Sequence, residues 1–255
     1  MDFAIFLVLG FIVGFLVGLT GMGGGALMSP VLIFLGIQPR IAIGTDILYA
    51  TVTRFVGSAI HKRKGSVDVP LALWLFAGSL PGTILGGLSM RTISMYSGME
   101  ALNHAISTSL GAVLVFVSLI ILYRILVSKE KTTGKPPRRI VLMSIGFLVG
   151  IIVQFTSVGS GTLIVFFLIT FASLSPRTIV GTDLFHGFLL TAVATLIHSA
   201  LTNIDYFLAA ILIIGSLPGT YIGATMNSRI DGKSLKIILA IVVMIAGGAL
   251  LIGNF

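Results

Sequence analysis

Thr20-Gly21-Met22-Gly23-Gly24-Gly25 interrupts an apolar run from 3 to 36, and the chain repeats the phrase as Thr156-Ser157-Val158-Gly159-Ser160-Gly161. Glycine in a helix interior costs about 1 kcal/mol relative to alanine, so consecutive glycines end a helix rather than bend it. The repetition continues outward from this phrase. Pro39-Arg40 with Gly44-Thr45-Asp46 returns as Pro176-Arg177 with Gly181-Thr182-Asp183, and His61 and Asp68 return as His198 and Asp205. Gly78-Ser79-Leu80-Pro81-Gly82-Thr83 returns as Gly215-Ser216-Leu217-Pro218-Gly219-Thr220. The offset is 136 residues for the first block and 137 for the others. Two halves with glycine-broken hydrophobic segments at matching positions are the pattern of a transporter whose binding site lies between the repeats.

Charged residues make up 9% of the chain and hydrophobic ones 56%, with a mean hydropathy of +1.12. A soluble domain carries about 25% charged residues, so the expected fold is an all-α polytopic membrane protein. The start has no basic n-region or small-residue cleavage site, so no removable signal peptide is expected. The absence of cysteine excludes disulfides, thiolate metal sites and thiol catalysis. The net charge of +8 sits mostly in short loops, where Lys and Arg act as topology signals; it is not a nucleic-acid footprint.

Eight apolar segments span 3–36, 41–60, 67–90, 98–126, 140–172, 177–200, 205–228 and 234–253. A crossing helix needs about 20 apolar residues. The first and fifth segments are too long for one crossing and too short for two, and each carries its glycine cluster. The charged, proline-containing stretch 128–139 links a first repeat (1–127) to a second (140–255). Arg124, Lys129, Lys131, Lys135, Arg138 and Arg139 place that linker in the cytoplasm. Lys62, Arg63 and Lys64 follow segment two, whereas in the second half Arg229, Lys233 and Lys236 follow segment seven. Opposite charge bias on equivalent loops implies inverted halves. That needs an odd number of crossings per half, so segments one and five are expected to be re-entrant, each followed by three transmembrane helices. The rival is eight plain crossings with parallel halves.

Glycine-rich tips let backbone N–H groups approach a ligand, and a helix restarting after the break points its positive dipole end at the same spot. The candidate anion-binding residues are therefore Thr20, Gly23, Gly24, Gly25, Gln154, Thr156, Ser157, Gly159, Ser160 and Gly161. The competing reading, glycines as helix-packing surfaces, suits Gly10, Gly14 and Gly18, and the pairs Gly82-Gly86 and Gly219-Gly223. Ionisable residues at membrane depth mark pathways or proton relays. Arg54 offers a planar cationic fork for an anion and joins the substrate-binding set; its alternative is snorkelling toward Lys62. Asp46 and Asp183, with His186 one turn from the latter, are proton-coupling candidates; the alternative for each Asp is a helix N-cap. His61 and His198 are expected at the interface and His104 as a core residue. Scattered histidines without carboxylates at ligand spacing argue against a metal site, and no cofactor is expected.

These residues resemble the sulfite exporter (TauE/SafE) family of membrane permeases. The resemblance rests on Gly18-Leu19-Thr20-Gly21-Met22-Gly23-Gly24-Gly25 with Pro30 behind it, on Ala42-Ile43-Gly44-Thr45, on His61-Lys62-Arg63-Lys64-Gly65-Ser66-Val67-Asp68, and on Pro81-Gly82-Thr83 with Gly86-Gly87. It covers residues 5 to 253 and implies a multi-pass cell-membrane carrier that moves sulfite, organosulfonates or related small anions, often outward. The chain departs from the family pattern in carrying Asp after both Gly-Thr pairs and Ser160 within the second triplet; the doubled Asp favours proton coupling.

The expected function is a secondary anion transporter with substrate held at the midplane, partnered by the bilayer, a small anion and a coupling proton, and open to oligomerisation. It is not expected to be an enzyme. The alternatives are an anion channel and an intramembrane serine protease using Ser160 with His186 or His198 as base; Gly24 at the equivalent place in the first half argues against the latter.

Overall fold

The computed structural model describes residues 3–20, 25–127, 138–171, 174–226 and 232–253. The linker 128–137, Gly21–Gly24 and Arg229 lie outside the described residues, as do the side chains of Thr20, Lys233 and Lys236. Helices α1 (Phe3–Thr20) and α2 (Gly25–Phe34) lead to α3 (Pro39–Arg63) and α4 (Val69–Val127). After the linker come α5 (Arg139–Thr156), a π-helical turn (Ser160–Ile164), α6 (Val165–Phe171), α7 (Pro176–Ala200), α8 (Tyr206–Met226) and α9 (Gly232–Ile252). No strand occurs among the described residues. Only structures that satisfy every backbone polar group internally can cross lipid, and this all-helical, apolar chain is a polytopic membrane protein.

Helix α4 is two arms, 69–97 and 99–127, joined at Gly98, whose φ of 87° is a backbone conformation that favours glycine. Four described helices are long and apolar enough to cross a membrane: Val69–Leu126, Arg139–Thr156, Pro176–Ala200 and Tyr206–Gly223. Phe3–Leu19, Ser160–Thr170 and Ile237–Ile252 are shorter apolar helices. Helix α3 has the length, with 25 residues, but Arg40, Asp46 and Arg54 interrupt its apolarity. The bundle is apolar outside, and its largely apolar core encloses a few polar groups: Phe207, Leu196 and Tyr221 face outward while Asp46, Gln154 and Thr182 are fully buried. An apolar surface this extensive suits acyl chains rather than water.

The caps sit where the repeated motifs fall, though not on the two Asp residues for which capping was the alternative. Pro39 and Pro176 occupy the first turns of α3 and α7, where a missing N–H costs nothing. Asp68 and Asp205 cap α4 and α8, accepting from Leu71 N (3.1 Å) and Leu208 N (2.9 Å). Their own N–H groups donate across the molecule, Asp68 to Thr182 Oγ1 (2.9 Å) and Asp205 to Thr45 Oγ1 (3.1 Å). Asp46 and Asp183 cap nothing; they lie well inside α3 and α7.

Glycines set the helix pairs. A side chain on Gly10 or Gly14 would strike Leu212 or Ser216 of α8, and one on Gly215, Gly219 or Gly223 would strike α1 at Leu7, Phe11 or Phe15. The α4–α5 pair is built the same way, with Gly78 and Gly82 against Met143 and Phe147, and Gly146 and Gly150 against Leu75 and Ser79. The small-residue packing reading holds for these positions. Contact order along the chains gives direction. Numbers rise together in α1 and α8 and in α4 and α5, so both pairs are parallel. Helices α4 and α7 are parallel as well, touching at Asp68–Thr182, Ser79–His186 and Gly87–Ile197. Helices α3 and α7 cross antiparallel, through Gly44–His198, Thr51–Thr195 (3.0 Å between hydroxyls), Gly57–Leu184 and His61–Gly181.

The bundle thus has two distinct ends. Lys62, Arg63 and Lys64 share one with Arg139, stacked on Trp74 at 4.9 Å, and with Arg177 beside His61. Arg40 lies at the other, beside Asn203.

Candidate functional site

The crossing of α3 and α7 gathers the buried charges. Arg54 is 8% exposed, Asp183 6%, and Asp46 and Ser160 are fully buried. Arg54 does not snorkel: its Nη1 donates to Ser160 Oγ. Room for the guanidinium comes from Gly187 on α7, where any side chain would collide with Nη1 and Cζ. Both carboxylates attract Arg54 through space. Asp46 lies eight residues before Arg54, roughly 12 Å along the helix, and takes a hydrogen bond on Oδ2 from Ser29 of α2. Its Oδ1 has no hydrogen-bond partner, and neither has Asp183 Oδ1.

The second glycine phrase shapes the opposing wall. Ser157 ends α5 in the left-handed conformation (φ 58°), its N–H donating to Val153 O at 2.8 Å. Gly159 follows at φ 122°, a value that strains any residue with a Cβ. The wide turn Ser160–Ile164 then restarts the helix; single π-turns inside helices recur at functional sites. Thr156 is committed to holding this break, donating to Ile152 O (2.7 Å) and accepting from Val158 N (3.1 Å). Ser157 Oγ is buried without a partner and faces Asp46.

Of the residues expected from the sequence, Arg54, Ser160, Ser157, Asp46 and Asp183 share this neighbourhood, with Gly159 and Gly161 framing the turn. Gln154 is fully buried but turned toward α4, its Nε2 lying 3.7 Å from Met90 Sδ beside Gly86 and Gly87. His186 faces α4 too, with Nε2 3.0 Å from Ser79 Oγ and no partner on Nδ1. Gly25 opens α2, while Gly23, Gly24 and the Thr20 side chain lie outside the described residues. His198 is not interfacial but fully buried, because the end of α5 packs on it: its Nε2 is 3.0 Å from the Gln154 carbonyl. His61 keeps the helix-end position and bonds Ser66 Oγ at 2.9 Å. His104 is exposed rather than in the core.

Sequence reasoning missed Ser29, Ser79 and Gly187. Ser29 adjoins the Pro30 of the first phrase, and Ser79 sits in the repeated Gly-Ser-Leu-Pro-Gly-Thr motif. Gly187 carries no signal beyond being a glycine one turn from Asp183. No group of three His, Asp or Glu side chains among the described residues could hold a metal ion. The chemistry on offer is one cation, two carboxylates and the unpartnered Ser157 hydroxyl, all buried.

A family model described as Sulfite exporter TauE/SafE matches residues 6–250. The chain is 36% identical over 249 residues to the Bacillus subtilis "Probable membrane transporter protein YjnA", a match covering 94% of this chain and 96% of that one. It is 25% identical over 271 residues to YunE of the same organism, named in the same way, covering 97% and 96%. A Methanocaldococcus jannaschii "Probable membrane transporter protein" is 25% identical over 261 residues, covering 94% and 92%. No solved structure matches. Glycine-packed apolar helices around a buried charged centre and a family match along nearly the whole chain agree: this multi-pass helical protein is a membrane transporter belonging to the sulfite exporter TauE/SafE family.

Proposed function

We propose that the protein is a secondary transporter of a small sulfur-containing anion, sulfite or an organosulfonate, which binds at Arg54 between two inverted halves and leaves the cell with proton movement. The observation that carries this reading is Arg54 itself: a cation at the heart of an apolar bundle, bonded to a serine hydroxyl. A buried charge is costly unless it serves a pathway or a partner, and a guanidinium matches oxyanion geometry with paired donors. Export follows the description of the family.

Inverted, re-entrant halves (1–127 and 140–255) are supported by the helix directions. Helices α1 and α3 run the same way, as do α5 and α7, so α2 and α6 supply return legs. The Lys62 end, which also carries Arg139 and Arg177, then faces the cytoplasm, where Lys and Arg concentrate.

Charge balance supports proton coupling. Arg54 with two ionised carboxylates is net negative by one, and an arriving anion doubles that deficit in a poorly screened interior. A proton on Asp46 or Asp183 relieves it. The closed, buried site favours a carrier over an open channel. Ser160 accepts from Arg54 and His186 is engaged with Ser79, so neither forms the nucleophile–base pair that serine catalysis requires.

Counterflow in proteoliposomes tests the reading: internal unlabelled sulfite should drive uptake of labelled sulfite that saturates. Flux that neither saturates nor counterflows would indicate a pore, and no sulfite or sulfonate flux at all would reject the substrate class.

A further inference from the structure

The end of the bundle opposite Lys62 holds a second set of buried polar groups that the Arg54 site does not use. Arg40, in the first turn of α3, donates from its backbone N–H to Asn103 Oδ1 (3.3 Å) and from Nη1 to Asn203 Oδ1 (3.1 Å). Its Nε–H is buried without a partner, as is Asn203 Nδ2. Asn203 is 1% exposed and His198 fully buried. The Gln154 carbonyl beside His198 Nε2 can only accept, so Nε2 carries the proton and the partnerless Nδ1 is an acceptor. Gly44, one turn from Arg40 on the same face of α3, lets Asn203 and His198 close on that helix: a Cβ there would strike the Asn203 backbone carbonyl and lie 3.1 Å from His198 Nδ1. The nearby Asp205 is occupied in capping Leu208.

Orphaned buried polar atoms are rare, since each costs about 1–3 kcal/mol. Two donors, one of them cationic, beside one acceptor complement a small oxyanion that keeps a proton. The equivalent residues at the other end lack this arrangement: His61 Nδ1 is partnered by Ser66, and Arg177 is exposed. We propose that Arg40, Asn203 and His198 form a second oxyanion subsite at the Arg40 end of the path to Arg54. The subsite lies 14 residues of α3 from Arg54, about 21 Å, and it rests on the reading of Arg54 as the central anion site.

Four purified proteins are melted with sodium sulfite, sodium sulfate and sodium thiosulfate: wild type, Arg54→Ala, Arg40→Gln and the double variant. A ligand that prefers the native state raises Tm by mass action. Arg54→Ala is expected to keep a saturable upward shift, and the double variant to lose it. Losing the charged donor weakens the apparent affinity of this subsite about tenfold or more, while Arg40→Lys in the Arg54→Ala background restores part of it. A wild-type shift that vanishes in Arg54→Ala alone overturns the second subsite and leaves the central one standing. An unchanged shift in the double variant also overturns it. A shift kept in full by Arg54→Ala and lost in Arg40→Gln removes Arg54 from the central role but not this subsite. No shift in the wild type with any of the three salts rejects both. Should Arg40→Gln fail to give monodisperse protein, Asn203→Ala carries the same comparison.

Discussion

Replacing Arg54 by alanine removes the only buried Lys or Arg among the described residues, at the crossing of α3 and α7. Its Nη1 bond to Ser160 is lost and both carboxylates lose their counter-charge. Truncating one member of a buried, hydrogen-bonded charge pair costs about 2–5 kcal/mol of binding, equivalent to roughly 30- to 5,000-fold in affinity. Two further variants separate charge from shape. Arg54→Lys keeps the charge but not the planar fork, so it should fall between alanine and wild type. Ser160→Ala removes the neutral acceptor of a charged donor and should cost about 1.5–3 kcal/mol. The assay is sulfite counterflow in proteoliposomes at matched protein density, with monodispersity and Tm checked first. Arg54→Ala is expected to lower kcat/KM by at least about 30-fold, with Arg54→Lys intermediate and Ser160→Ala smaller than Arg54→Ala. Wild-type kinetics in well-folded Arg54→Ala would refute the reasoning, because Arg54 is the only Lys or Arg buried among the described residues.

Asp46→Asn or Asp183→Asn, whichever residue carries the coupling proton, should leave measurable counterflow but abolish the response of net flux to an imposed pH gradient; unchanged pH response in both variants would end the proton role. Gly82→Val or Gly219→Val should lower stability by about 1–3 kcal/mol, read as a lower Tm, because a branched side chain there meets Phe147 or Phe11 backbone. Gly159→Ala, at φ 122°, should cost about 1–3 kcal/mol and reduce flux more than Gly36→Ala at φ 86°, where no neighbour lies within 4 Å.

Much of the fold was legible because lipid imposes strict rules. The broken apolar segments, the glycine packing faces and the buried Arg54 all follow from what a bilayer tolerates. The repeated motifs were visible, but their individual duties were not. Asp68 and Asp205 repeat as plainly as Asp46 and Asp183, yet only the first pair caps helices, because capping depends on where the helix begins. His61 and His198 occupy equivalent positions and differ in burial, since α5 reaches His198 while His61 turns to Ser66. Ser29 and Gly187 were hidden because a serine's partner and a glycine's neighbour arise from tertiary contact. The kink at Gly98, by contrast, falls where the sequence already separated the apolar segments 67–90 and 98–126.

The most direct measurement is a crystal structure of the protein soaked with selenite, a heavier relative of sulfite located by its anomalous scattering. A selenium peak within hydrogen-bonding reach of Arg54, between α3 and the turn at Ser157–Ser160, is the expected result. Selenite bound only at sites remote from Arg54, with Arg54 still bonded to Ser160, would contradict the account.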